Sequence, residues 1–140
     1  MTAPTPPEFM SLRLELEDRY GIPPDRFCGL DAATMSCAII AHDCGPLRPG
    51  EAVGYNPIGS PETRLGWLRQ AFGPDVDVEH LRLCVQFFHG RISEALPLDW
   101  MLPNDEFDRQ VVEGLARLYP DLTPEARAVI AGNHSYSHAR

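Results

Sequence analysis

Apolar residues recur along this chain at the spacing of helix faces. Phe9, Leu12, Leu16 and Tyr20 follow a 3.6-residue period that Gly21 closes. Leu65, Leu68 and Phe72 repeat it before Gly73-Pro74. Phe107, Val111, Leu115 and Leu118 form a longer stripe that ends at Pro120, and Ala126, Val129 and Ile130 mark a short last helix. Start signals precede these stripes. Thr5-Pro6-Pro7-Glu8 has capping-box spacing. Ser60-Pro61-Glu62 and Thr123-Pro124-Glu125 each set a capping hydroxyl before a first-turn proline and acid. Asp31 and Asn104 are further caps.

One segment fits two periods. Leu81, Leu83, Val85 and Phe87 alternate as a strand would, whereas Leu81, Cys84, Val85 and Phe88 share one helix face. Helix agrees better with the neighbouring elements. Residues 45–60 carry three Pro and four Gly and predict a long surface loop; residues 90–103 predict a second connection. The expected fold is mainly α, a compact bundle of about six helices, with a short strand or hairpin near residues 80–92 as the second reading. The chain reads as one domain over 1–140, with residues 1–5 and 134–140 as terminal segments.

The stretch "SCAIIAHDCGP", residues 36–46, carries the candidate chemistry. If residues 31–43 are helical, Cys37 and Cys44 share a face with Ala33, Ile40 and Ala41, while Met35, Ile39 and His42 share another. His42 then lies about 140° around from Cys37, so the two cysteines and the histidine do not converge on an ion. The two cysteines stand roughly 10 Å apart, too far for a disulfide. A helix this apolar is expected at the centre of the fold, with Cys37 and Cys84 as buried thiols. His42-Asp43 is the exception: an imidazole nitrogen and a carboxylate oxygen at a helix end suit manganese, iron or zinc where other elements supply further ligands.

Composition narrows the classes. Net charge is −8, and the twelve basic residues, all Arg, are scattered, which excludes a general nucleic-acid binder. The absence of lysine beside 14 Pro and many Ala and Gly is the bias of a GC-rich bacterial genome. No apolar run approaches the ~20 residues of a membrane span, and the start of the chain lacks a secretory pattern. The expectation is an acidic, cytoplasmic protein with four free thiols.

"CAIIAHDCG", preceded by an amphipathic segment and "YGIPPDRF", resembles the central motif of the HD-domain phosphohydrolases, an all-helical family that holds divalent metal for phosphate-ester hydrolysis. The resemblance implies His42 and Asp43 as metal ligands, with Asp43 also catalytic. It covers about 35 residues and centres on one dipeptide. No histidine precedes position 42, and Asp99, Asp105, Asp108 and Asp121 are equal candidates for the family's later aspartate. His80 with Cys84, and His134 with His138, have four-residue spacing, though Gly132-Asn133 predicts a helix stop before the second pair. A histidine of that tail could complete the His42-Asp43 site.

Two functions follow. The first is a small regulator, adaptor or accessory subunit that needs no cofactor and binds another protein through Trp100, Met101 and Leu102, with a homo-oligomer open as well. The alternative is an HD-type metal-dependent phosphohydrolase, intact or degenerate. A hydrolase needs two further ligands beside His42-Asp43 and an open pocket. A binding module needs His42 packed or hydrogen-bonded, and an apolar patch elsewhere.

Overall fold

The computed structural model describes residues 6–21 and 26–139, with side chains from residue 10 onward. Within them the chain forms six α-helices: α1 (Pro6–Tyr20), α2 (Ala32–Ile39), α3 (Pro61–Phe72), α4 (Val78–Ala95), α5 (Asn104–Leu118) and α6 (Pro124–Ala139). A π turn, Ile40–Cys44, continues α2. The described residues contain no strand. No helix among them is long and apolar enough to cross a membrane.

Local chemistry sets most boundaries. Asp31 accepts a hydrogen bond from the Thr34 amide at 2.7 Å, and Ser60 from the Thr63 amide at 3.1 Å. Thr123 Oγ1 accepts from the Ala126 amide at 3.2 Å and opens α6. Asp77, a cap not marked by the sequence pattern, accepts from the His80 amide and starts α4. Pro103 occupies the cap of α5, so Asn104 is helical rather than capping. The capping box at Thr5 lies outside the described residues.

The strand reading of residues 80–92 gives way to helix, because α4 is the central element. Leu83, Cys84, Val85, Phe88 and Ile92 on it are all buried, and burial around most of its circumference erases the single stripe that separates helix from strand. Helix α1 packs on α4 and α5 on α6, while α2, α3 and α6 surround the π turn. Phe88 anchors an aromatic group, 5.8 Å from Phe27 and 5.1 Å edge-on to Tyr119.

Helix α6 does not stop at Gly132-Asn133; it runs on to Ala139. Gly132 serves packing instead. A Cβ there would lie 3.1 Å from the Tyr55 Cβ and 3.3 Å from the Tyr55 backbone nitrogen, so its bare backbone lets the 45–60 loop lie against the helix. His134 and His138 therefore belong to a helix facing the core and not to a tail.

Candidate functional site

The π turn decides where His42 and Asp43 go. The Gly45 amide donates to the Ile40 carbonyl at 3.1 Å, five residues back, so the turn holds one residue more than α-helix allows. That wider turn breaks the two-turn alignment of Cys37 and Cys44: Cys37 is exposed, against the expectation that it is a buried thiol, and Cys44 is buried. It also turns His42 and Asp43 inward together, each 0% exposed.

Asp43 is the hub. Its Oδ1 lies 2.6 Å from His42 Nδ1 and its Oδ2 2.6 Å from His89 Nε2, on α4. Burial by itself would raise the Asp43 pKa, but attraction to His89 and hydrogen bonds from both imidazoles outweigh it and hold the carboxyl well below its usual range. An ionised carboxylate only accepts, so both imidazoles donate to it. His42 is thus the Nδ1–H tautomer, and its Nε2, enclosed by protein, has no hydrogen-bond partner among the described residues. Burial holds the His42 pKa below its ordinary value, against the pull of Asp43.

His134 enters from α6. Its Nδ1 donates to the Ile130 carbonyl at 3.1 Å, and its ring centroid lies 6.4 Å from that of His89. Burial, reinforced by His89, lowers its pKa to about 4. The cluster thus joins the π turn, α4 and α6.

Arg64 on α3 locks the outer side. It is 1% exposed. Its Nη1 donates to the His42 carbonyl at 2.7 Å, its Nε to the Gly59 carbonyl at 3.0 Å, and its Nη2 to the Asn56 carbonyl. The Asn56 amide closes the circuit onto the Asp43 carbonyl at 2.8 Å. Trp67, on the same helix, rests on Gly45 and Gly59. A Cβ at Gly45 would meet the indole at 2.7 Å, and its φ of +80° is left-handed. Gly45→Ala is therefore expected to lower stability by about 2–5 kcal/mol, read as a shift in the urea unfolding midpoint. A loss under 1 kcal/mol would mean the turn can reshape.

Of the sequence candidates, His42, Asp43 and His134 come together. Asp99, Asp105 and Asp121 do not join them; Asp99 and Asp105 each cap a nearby backbone amide and Asp121 pairs with Arg26 at 2.9 Å. Asp108 is half-buried on α5, which packs chiefly on α6. His80 stacks on Tyr20 at 4.8 Å, whereas the Cys84 thiol points to the Cys28 carbonyl, so those two do not form a ligand pair. His138 stacks on Phe107 at 4.0 Å with its Nε2 donating to the Trp100 carbonyl.

Sequence reasoning missed His89 and Arg64. His89 had a signal, since it continues the Leu81-Val85-Phe88 face where a polar residue needs a buried partner. Arg64 had none.

The arrangement does not fit a divalent ion as it stands. Both Asp43 oxygens are committed to imidazoles, and among the described residues no three His, Cys, Asp or Glu side chains are placed to share one metal. The neighbouring apolar groove of about 500 Å³, between the π turn and α3, is lined by residues such as Cys37, Ile40, Trp67 and Phe72, and none of the cluster's polar side chains opens into it. The cluster can hold and shift protons and fix three helices. Compared with protein-family models, curated proteins and solved structures, the chain matches none.

Proposed function

We propose that this chain is a non-catalytic helical binding module acting through another protein, with the histidine–aspartate cluster as the fixed centre that shapes it. One observation carries this reading: Asp43 is 0% exposed and both its carboxylate oxygens lie 2.6 Å from imidazole nitrogens. A phosphate ester or an attacking water has no approach to a carboxylate used in this way.

The contact surface is the turn between α4 and α5. Trp100 is 50% and Met101 90% exposed, with Leu102 half-buried beside them. Trp100 is braced by Phe107, 4.8 Å away, and by His138, so it is a pre-ordered anchor, while Met101 is free to adapt. Asp99, Asp105 and Glu106 are exposed around it. An apolar tip with an acidic rim suits a partner offering an apolar pocket edged by Arg or Lys.

The test is affinity capture from the native source, comparing the unaltered chain with Met101→Asp and with Ile58→Asp, an equally exposed site on the 45–60 loop. A partner kept by the Ile58 variant and weakened at least tenfold by the Met101 variant supports the reading. Elemental analysis runs beside it. Stoichiometric manganese, iron or zinc that is lost with His42→Ala, together with phosphate-ester hydrolysis, would replace this reading by the metal-dependent hydrolase.

A further inference from the structure

The three buried histidines are not held alike. His42 and His89 share the Asp43 carboxylate, whereas His134 is tied only to the Ile130 carbonyl of its own helix. That bond fixes the Nδ1–H tautomer and leaves the lone pair on Nε2, which is shielded from solvent and has no hydrogen-bond partner among the described residues. A proton added there would create a buried charged N–H without an acceptor, which is costly while α6 stays packed and costs nothing once the imidazole reaches water.

We propose that His134 makes α6 an acid-sensitive latch: on taking up a proton its imidazole leaves the cluster, and α6 lifts from the π turn and α2 before the rest of the fold opens. The surroundings offer little to hold the charge in place. Asp43 on the π turn is the acid that faces it, and that carboxylate already serves His42 and His89. His89 on α4 disfavours a positive charge on His134, and Arg64 on α3 is a cation on the same network. The buried faces of α2 (Met35, Ser36, Ala38, Ile39) and α5 (Phe107, Val111, Gly114, Leu115) are uncharged. On α6 itself His138 lies one turn on, bound to the Trp100 carbonyl at 3.2 Å, so lifting the helix would also withdraw the brace from Trp100.

The direction follows from linkage. The folded His134 value of about 4 lies below its ordinary value, so protons favour the open state, and closure is fully favoured above about pH 6.5 and weakens as pH falls toward 4. The open fraction of α6 is then about tenfold larger at pH 5.5 than at pH 8. The latch does not depend on the partner reading.

Amide exchange measured by NMR at both pH values, corrected for intrinsic rates, tests it on the native chain and on His134→Gln. Protection over residues 130–138 should fall about tenfold on acidification while residues 64–72 in α3 keep theirs, and the change should vanish in the variant. Equal loss in both helices, no loss in α6, or a pH response that persists in the variant would overturn the proposal. Should the variant not fold, ¹⁵N spectra of the native imidazoles decide: His134 must remain the neutral Nδ1–H tautomer in the closed state at pH 5.5, and titration near its ordinary value in the folded protein would refute the latch.

Discussion

Replacing Asp43 with alanine should lower the stability of this protein by about 3–5 kcal/mol, the usual consequence of removing one member from a buried charged network. The substitution leaves two buried imidazole N–H groups, on His42 and His89, that were each 2.6 Å from a carboxylate oxygen and are closed off from water. The cost is mainly the desolvation of those orphaned donors, not the lost net value of the bonds. Asp43→Asn should fall between the native chain and Asp43→Ala, because an amide accepts from one imidazole but presents its NH₂ to the other. A triple replacement, His42→Phe with Asp43→Leu and His89→Leu, should recover much of the loss, since it removes donors and acceptor together. Chemical denaturation of the three variants separates these outcomes. If Asp43→Ala costs less than 1 kcal/mol, water reaches the cluster and the closed centre is the wrong description.

Much of the fold was legible because its signals are local. Ser60, Thr123 and Asp31 each announce a helix start through a side-chain oxygen that satisfies a free amide within three residues. The stripe Phe107-Val111-Leu115 on α5 gave its buried face directly, since one side of that helix meets solvent. Helix α4 was harder for the opposite reason, being buried nearly all round, so its pattern lost the contrast on which periodicity depends. The reading of Gly132 as a stop failed because glycine's missing side chain serves two purposes, and only the nearby Tyr55 backbone shows which applies.

The candidate site was half legible. His42 and Asp43 stood out as polar residues ending an apolar run, but helical geometry set their side chains about 100° apart. The π turn, which no periodicity announces, points both inward, and the same wider turn takes Cys44 off the face it would share with Cys37, leaving Cys44 buried and Cys37 exposed. His89 and His134 come from segments 46 and 91 residues further along, and only the packing of α4 on α2 and α3 and of α6 on the π turn unites them.

Arg64→Ala is expected to do almost as much damage as Asp43→Ala, although Arg64 touches neither Asp43 nor a histidine side chain through a hydrogen bond. Its guanidinium donates to three backbone carbonyls, those of His42, Asn56 and Gly59, and so joins the π turn to a loop with no regular structure of its own. Hydrogen bonds from a charged donor contribute about 1.5–3 kcal/mol each. They are not additive within one network, and water will reach the Asn56 end first, so a loss of about 3 kcal/mol is the reasonable expectation. Arg64→Lys should rescue little, because one ammonium on a flexible stem cannot span three acceptors that a planar fork reaches together. The guanidinium also lies 5.5 Å from the Trp67 ring, which itself rests against Gly45 and Gly59. Loosening Arg64 should therefore raise acrylamide quenching of Trp67, followed in a Trp100→Phe background, at denaturant concentrations too low to unfold the chain. If Arg64→Lys keeps both the stability and the quenching of the native chain, the loop is held by its contacts with α6 at Tyr55 and Gly132, and the charge on Arg64 is incidental.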